Sequence, residues 1–167
     1  MIQKLTLAVV LAFALTVPVE KLHAETIFKY GLGVFNSAKD SAAETKFASL
    51  AYQDEFLGLF IYQFEGGFWY DTREDMGRRS SAFAGASIGV DVDVRPFFAQ
   101  WLVGPSVIST KDSYLGGPLQ FNNDVAFGLR DHRGNSVGIG YKHLSSAGIF
   151  EPNKGRDFLM LRIGIPW

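Results

Sequence analysis

The sequence predicts an all-β chain, an eight-stranded antiparallel barrel of the kind that spans the bacterial outer membrane. Apolar and polar residues alternate along one segment after another, as they do where successive side chains of a strand point to opposite faces. The connections between these segments run alternately long and short, which is typical of outer-membrane barrels. The chain also ends in the pattern Leu-x-Leu-x-Ile-x-Ile-x-Trp at Trp167, similar to the assembly signal of such barrels.

The first two dozen residues do not belong to the predicted barrel. Lys4 precedes an apolar run from Leu5 to Val19, and a small residue, Ala24, follows. This order predicts a secretory signal peptide over residues 1–24. An uncleaved anchor is the alternative, although the run is short beside the about 20 apolar residues of a membrane-spanning helix. Cleavage after Ala24 would leave residues 25–167 as one domain.

Composition excludes several classes of function. The net charge of −1 gives no basic field for nucleic acid, so no nucleic-acid partner is expected. The chain has no cysteine, which excludes disulfides, thiol catalysis and thiolate metal sites. Eighteen glycines and 14% aromatic residues favour β-structure with close strand contacts over disorder.

Alternation defines the individual strands and the polar stretches between them. The predicted strands are residues 26–35, about 46–53, 56–70, 82–93, 97–103, 120–130, 137–145 and 157–167. A tight turn is predicted at Asp54-Glu55, and further short turns at Arg95-Pro96 and at residues 131–135. In the aromatic run 56–70, the sequence does not determine which residues face outwards.

Alternation alone does not say which face of the strands is outside, so a soluble barrel with an apolar interior is the alternative. The polar face carries charges amid small residues, which suits the tight polar lumen of an eight-stranded barrel. The charged residues predicted to line this lumen are Asp91, Asp93, Asp124, Arg130 and Arg162.

One apparent catalytic motif is set aside. Gly85 to Gly89 matches G-x-S-x-G, which forms a nucleophile elbow only at a sharp turn from strand to helix. Here the motif lies within a predicted strand and Ser87 faces the lumen, so a chance match is the preferred interpretation. His132, in a short polar turn, is interpreted as a solvated turn residue.

The candidate chemistry lies at the end of the chain. Val137, Ile139, Tyr141, His143 and Ser145 share one face of a strand, and Asp157 begins the matching face of the last strand. If the two strands form a hairpin, a serine, a histidine and a carboxylate meet, as nucleophilic acyl transfer requires. Ionisable groups at membrane depth are costly and generally functional, although an interfacial histidine is the alternative for His143.

These residues resemble a known family. His143-x-Ser145-x-Ala147-Gly148, followed by Pro152-Asn153-x-Gly155 and Asp157, is similar to the motif of PagL-type lipid A 3-O-deacylases. The resemblance implies an outer-membrane ester hydrolase that acts on lipid A of lipopolysaccharide, among outer-membrane lipids, and needs no metal or cofactor. It implies Ser145 as nucleophile, His143 as general base and Asp157 as the orienting acid, with Asn153 and Gly148 in the oxyanion hole.

The sequence departs from the family pattern at two places. Asp157 stands where the family has a glutamate, so its reach to His143 is in question, and Ser146 stands where an asparagine is expected. Two alternatives stay open: a non-catalytic structural or adhesion barrel, and a phospholipase or esterase of similar geometry. The oligomeric state, a homodimer included, also stays open.

Overall fold

A computed structural model of the protein describes residues 24–34, 45–71, 80–110 and 114–167. Apart from Ala24, the expected signal peptide lies outside the described residues. The strands are β1 (Glu25–Val34), β2 (Thr45–Leu57), β3 (Phe60–Asp71), β4 (Ser81–Val94), β5 (Phe97–Ile108), β6 (Leu119–Arg130), β7 (Ser136–Ser145) and β8 (Arg156–Pro166). Over the described ranges, no helix is long and apolar enough to cross a membrane.

The eight strands close into one barrel. Each strand pairs antiparallel with the next, and β8 pairs antiparallel with β1. The connections at 58–59, 95–96 and 131–135 define the short-turn end of the barrel, and those at 35–44, 72–80, 109–118 and 146–155 define the long-loop end. The predicted fold and the predicted alternation of connections are both confirmed.

The turn between β2 and β3 was predicted too early. Asp54 is not in a turn but in β2, and its carboxylate accepts hydrogen bonds from the Tyr52 and Tyr62 hydroxyls at 3.1 and 3.3 Å. The chain reverses instead at Gly58-Leu59, where Gly58 has a φ of +67°. A glycine meets the need of a two-residue hairpin turn for positive φ without steric cost.

The lumen is filled by paired charges. The predicted lumen residues are all inside the barrel, buried or half-buried: Asp91, Asp93, Asp124, Arg130 and Arg162. Near mid-height, Lys29 lies 3.0 Å from Glu65 and 2.6 Å from Asp124, and Lys142 lies 3.0 and 3.2 Å from the same carboxylates. Two cations and two anions therefore offset one another's desolvation.

An aromatic cluster closes the lumen at the long-loop end. Its members are Phe47, Trp69, Phe83, Ile108, Tyr114, Leu115, Leu144, Phe158 and Met160. The Arg156 guanidinium lies 5.4 Å from the ring centroids of both Trp69 and Tyr114 and pairs with Asp71 at 2.8 Å. The last residues of β7 and the first residues of β8 are thus held in place by their packing against this cluster.

The outer surface is apolar around the barrel. Every strand contributes exposed apolar side chains, among them Phe28, Leu50, Phe64, Ile88, Trp101, Phe127, Ile139 and Leu161. Exposed apolar area of this extent is rare on a soluble protein and matches a surface covered by lipid. Together with the charged lumen, it excludes the alternative of a soluble barrel with an apolar interior.

Candidate active site

His143 and Asp157 form a direct pair on the outer surface at the long-loop end. They lie opposite each other in the register of β7 and β8, and the His143 Nδ1 atom is 2.7 Å from Asp157 Oδ1. The imidazole is 37% exposed and the carboxylate 14% exposed. Since an ionised carboxylate can only accept, it fixes the imidazole proton on Nδ1 and leaves Nε2 of a neutral ring as a hydrogen-bond acceptor.

Tyr141 is a second partner of the same carboxylate. Its hydroxyl donates to Asp157 Oδ1 at 2.5 Å, so the same carboxylate oxygen accepts hydrogen bonds from both Tyr141 and His143. Tyr141 lies on the face that alternation predicts for it, but no role was predicted for its hydroxyl. Its position two residues before His143 was the available signal, because diagonal cross-strand neighbours lie within reach of long side chains.

Ser145 ends β7 on the same outward face as His143. Two residues of strand separate their Cα atoms by about 6.6 Å. Ser145 is half-buried, and in the described part of the chain its hydroxyl has no hydrogen-bond partner. Catalytic hydrogen bonds often tighten only when substrate binds, so this geometry leaves the hydroxyl available to His143.

The loop that follows Ser145 is tied by Ser146 and Asn153. Ser146 is buried, its N–H donates to Asn153 Oδ1 at 2.8 Å, and its hydroxyl donates to the Phe150 carbonyl at 2.9 Å. Between these ties, Ala147 and Gly148 have φ angles of 52° and 81°. Within the described ranges, the N–H groups of Ala147 and Gly148 make no hydrogen bond to backbone, while Ile149 N–H donates to the Ser146 carbonyl.

A neighbouring segment braces this loop from the other side. Gly116 N–H donates to the Pro152 carbonyl at 2.8 Å, and Lys154 N–H donates to the Tyr114 carbonyl at 3.0 Å. Leu115, between them, is fully buried in the aromatic cluster. This segment lies between the strands predicted at 97–103 and 120–130, where no structure was expected from the sequence. The apolar pair Tyr114-Leu115 within it was the signal of a packed segment.

Gly155 leaves room for the imidazole. Its φ is +73°, and a Cβ built at this position would lie 2.6 Å from His143 Cε1. Two features therefore require glycine at this position: the positive φ, and the imidazole ring that occupies the space of a Cβ.

The residues set aside on sequence grounds lie elsewhere. Ser87 is inside the lumen, within β4, and its hydroxyl accepts a hydrogen bond from Asn122 at 2.5 Å. His132 is exposed in the turn at the short-turn end. In the described part of the chain, no group of three or more His, Cys, Asp or Glu side chains could hold a metal ion.

Comparison with known proteins identifies the family. The model of the lipid A 3-O-deacylase (PagL) family matches residues 40–166, about three quarters of the chain. The chain belongs to the PagL family. The resemblance seen in the motif between His143 and Asp157 is thereby confirmed.

Two curated relatives carry the same family name. The lipid A deacylase PagL of Bordetella bronchiseptica is 34% identical over 68 residues, covering 39% of this chain and 38% of the relative. The lipid A deacylase PagL of Pseudomonas aeruginosa is 29% identical over 103 residues, covering 59% and 60%. The alignments thus span less than two thirds of either relative.

Solved structures share the PagL fold. The crystal structure of the outer membrane enzyme PagL superimposes with a TM-score of 0.65 at 17% identity, covering 84% of this chain and 99% of that one. Ail, the attachment invasion locus protein of Yersinia pestis, gives 0.55 at 9% identity, covering 86% and 97%. The protein is an eight-stranded β-barrel of the outer membrane, as its apolar outer surface requires.

Proposed function

We propose that the protein is a lipid A 3-O-deacylase, which hydrolyses the ester-linked 3-hydroxyacyl chain at the 3-position of lipid A. The observation that carries the proposal is the outward-facing His143–Asp157 pair, with Ser145 two residues away on the same face. The barrel alone does not select a function, because Ail has a similar fold. An ionisable pair on a lipid-facing surface costs free energy, and such pairs are rare unless they have a function. This favours catalysis over a structural role.

The position of the pair suits a substrate of the outer leaflet. In outer-membrane barrels the short turns face the periplasm and the longer loops face outwards. The long-loop end, where His143, Ser145 and Asp157 lie, would then be level with the outer leaflet, in which lipopolysaccharide resides. The acyl chains of such a substrate could stay in the membrane while its ester reaches Ser145 from the side.

In the proposed mechanism, Ser145 Oγ attacks the ester carbonyl carbon as His143 Nε2 accepts the hydroxyl proton. Asp157 holds the proton on Nδ1 and stabilises the imidazolium that forms. Collapse of the tetrahedral intermediate breaks the bond to the sugar oxygen, which takes the proton from His143. A water, deprotonated by His143, then releases the 3-hydroxy fatty acid from Ser145. These steps involve no metal.

The oxyanion of the tetrahedral intermediate needs hydrogen-bond donors close to Ser145. We assign this role to the N–H of Gly148, together with that of Ala147, because both are exposed in the turn and free of backbone partners in the described ranges. Asn153 can add its Nδ2 group, the only donor of its amide, while its Oδ1 accepts from Ser146 N–H. Its further role is to hold the turn in place.

Mass spectrometry of lipid A from cells with and without the protein tests the proposal. We expect the loss of one 3-hydroxyacyl chain, and no loss with a Ser145→Ala variant that still shows heat-modifiable gel mobility. Unchanged lipid A with new lysophospholipid would instead identify a phospholipase. Unchanged lipids of both classes would indicate a non-catalytic barrel.

A further inference from the structure

Tyr141 differs from two other outward tyrosines of the barrel, Tyr30 and Tyr70. Aromatic residues commonly anchor barrels at the membrane interface, where they need no specific partner. Tyr30 and Tyr70 fit that role, because neither makes a side-chain hydrogen bond within the described residues. Tyr141 donates to Asp157 Oδ1, the atom that also contacts His143. Its hydroxyl therefore belongs to the candidate site.

We propose that Tyr141 is a positioning residue, which fixes the Asp157 carboxylate and reduces the negative charge that it presents to His143. This inference rests on the proposed function for its role in deacylation. Asp157 is the second residue of β8, where one short acid must hold the imidazole at the long-loop end of the barrel. Two donors on one oxygen restrict the carboxylate to a single orientation, and charge-assisted hydrogen bonds of this kind are the stronger ones.

Among the described residues around the pair, Tyr141 is the group that most directly changes the charge that Asp157 presents to His143. Across from His143 on β6 is Asn123, and across from Asp157 on β1 is Val34; neither side chain titrates. The charged neighbours in sequence, Lys142 and Arg156, point into the barrel, where Lys142 pairs with Glu65 and Arg156 with Asp71. In the described part of the chain, Asp157 thus has two side-chain partners, Tyr141 and His143.

Tyr141→Phe removes the hydroxyl and keeps the ring on the lipid-facing surface. The freed carboxylate oxygen then stabilises the imidazolium more strongly. We expect the NMR titration midpoint of the His143 ring, measured in detergent, to rise by about half a unit to one unit. We also expect kcat to fall roughly five- to fiftyfold with KM nearly unchanged, because the acid is no longer held in one orientation.

Tyr52→Phe is the matched control. Tyr52 is also an outward tyrosine that donates to an aspartate, Asp54, at 3.1 Å, but at the short-turn end of the barrel. We expect neither the His143 midpoint nor kcat to change in this variant. A His143 midpoint in Tyr141→Phe that is unchanged or lower would overturn the inference. Since the titration needs no substrate, it decides this point even if the parent protein hydrolyses no ester, an outcome that would overturn the proposed function alone.

Discussion

His143 and Asp157 face each other directly across β7 and β8, with 2.7 Å between Nδ1 and Oδ1. Direct cross-strand partners bring their Cβ atoms within about 4.5–5.5 Å, so a short acid suffices to reach the ring. Asp157 is one methylene shorter than the glutamate expected from the family resemblance. The strand register nevertheless brings its carboxylate within hydrogen-bond distance of His143.

The first prediction concerns this acid. Asp157→Asn keeps the shape of the side chain but removes the charge that stabilises the imidazolium, so we expect deacylation to fall about ten- to a thousandfold. Asp157→Glu should remain active but slower than the parent, because one more methylene displaces the carboxylate from both Tyr141 and His143. Release of 3-hydroxy fatty acid from purified lipopolysaccharide in detergent measures both. A parental rate in Asp157→Asn would mean that the site is a Ser–His dyad or uses another acid.

The second prediction concerns the space beside the imidazole. A Cβ at Gly155 would lie 2.6 Å from His143 Cε1, so Gly155→Ala must displace the ring. We expect deacylation to fall at least about a hundredfold, since misplacing a catalytic group by an ångström has an effect of that size. The folded barrel should persist, as judged by heat-modifiable gel mobility.

Gly58→Ala is the control for Gly155→Ala. Gly58 also has a positive φ, +67°, yet a Cβ there meets nothing within 4 Å. Both variants carry the backbone strain of an alanine in the left-handed region, about 1–2 kcal/mol, but only one contacts the imidazole. Equal losses of activity in the two would show that strain alone is responsible and that the ring is not displaced.

The third prediction separates the serines. Ser87→Ala removes a hydroxyl from the lumen and leaves the Asn122 amide without that partner, at a cost of about 1 kcal/mol in stability. We expect deacylation within about twofold of the parent, whereas Ser145→Ala should abolish it. Initial rates in detergent, with folding checked by gel mobility, compare the two. A large loss of deacylation in Ser87→Ala, with folding intact, would show that Ser145 is not the nucleophile.

Much of the barrel could be predicted from the sequence because membrane strands follow a strict rule. Each strand must be apolar on one face and can be polar on the other, so alternation fixed which residues face outwards in β1, β4, β5 and β6. The rule fails at the β2–β3 turn. The polar pair Asp54-Glu55 suggests a turn, yet tyrosine hydroxyls keep Asp54 in the strand.

The candidate site was predictable only in part. Parity places His143, Ser145 and Asp157 on one face, and the hairpin brings His143 and Asp157 together in register. The hydrogen bonds of Ser146 were not predictable, and the apolar pair Tyr114-Leu115 indicates a packed segment but not its partner, because contacts within loops follow no periodicity. The Tyr141 hydroxyl could have been assigned only after the register was known.

The last prediction concerns the charged group at mid-height in the lumen, Lys29, Lys142, Glu65 and Asp124. Asp124→Asn leaves two buried ammonium groups with one carboxylate, and uncompensated buried charge typically costs about 3–5 kcal/mol. We expect the free energy of unfolding in detergent, from urea titration followed by gel mobility, to fall by about that amount. Adding Lys142→Met restores neutrality, and since Lys142 Nζ lies 5.8 Å from the Phe83 ring centroid, the methionine would pack against an aromatic surface. The double variant should therefore be more stable than Asp124→Asn alone. If it is equally or less stable, charge balance does not explain how the lumen is held together.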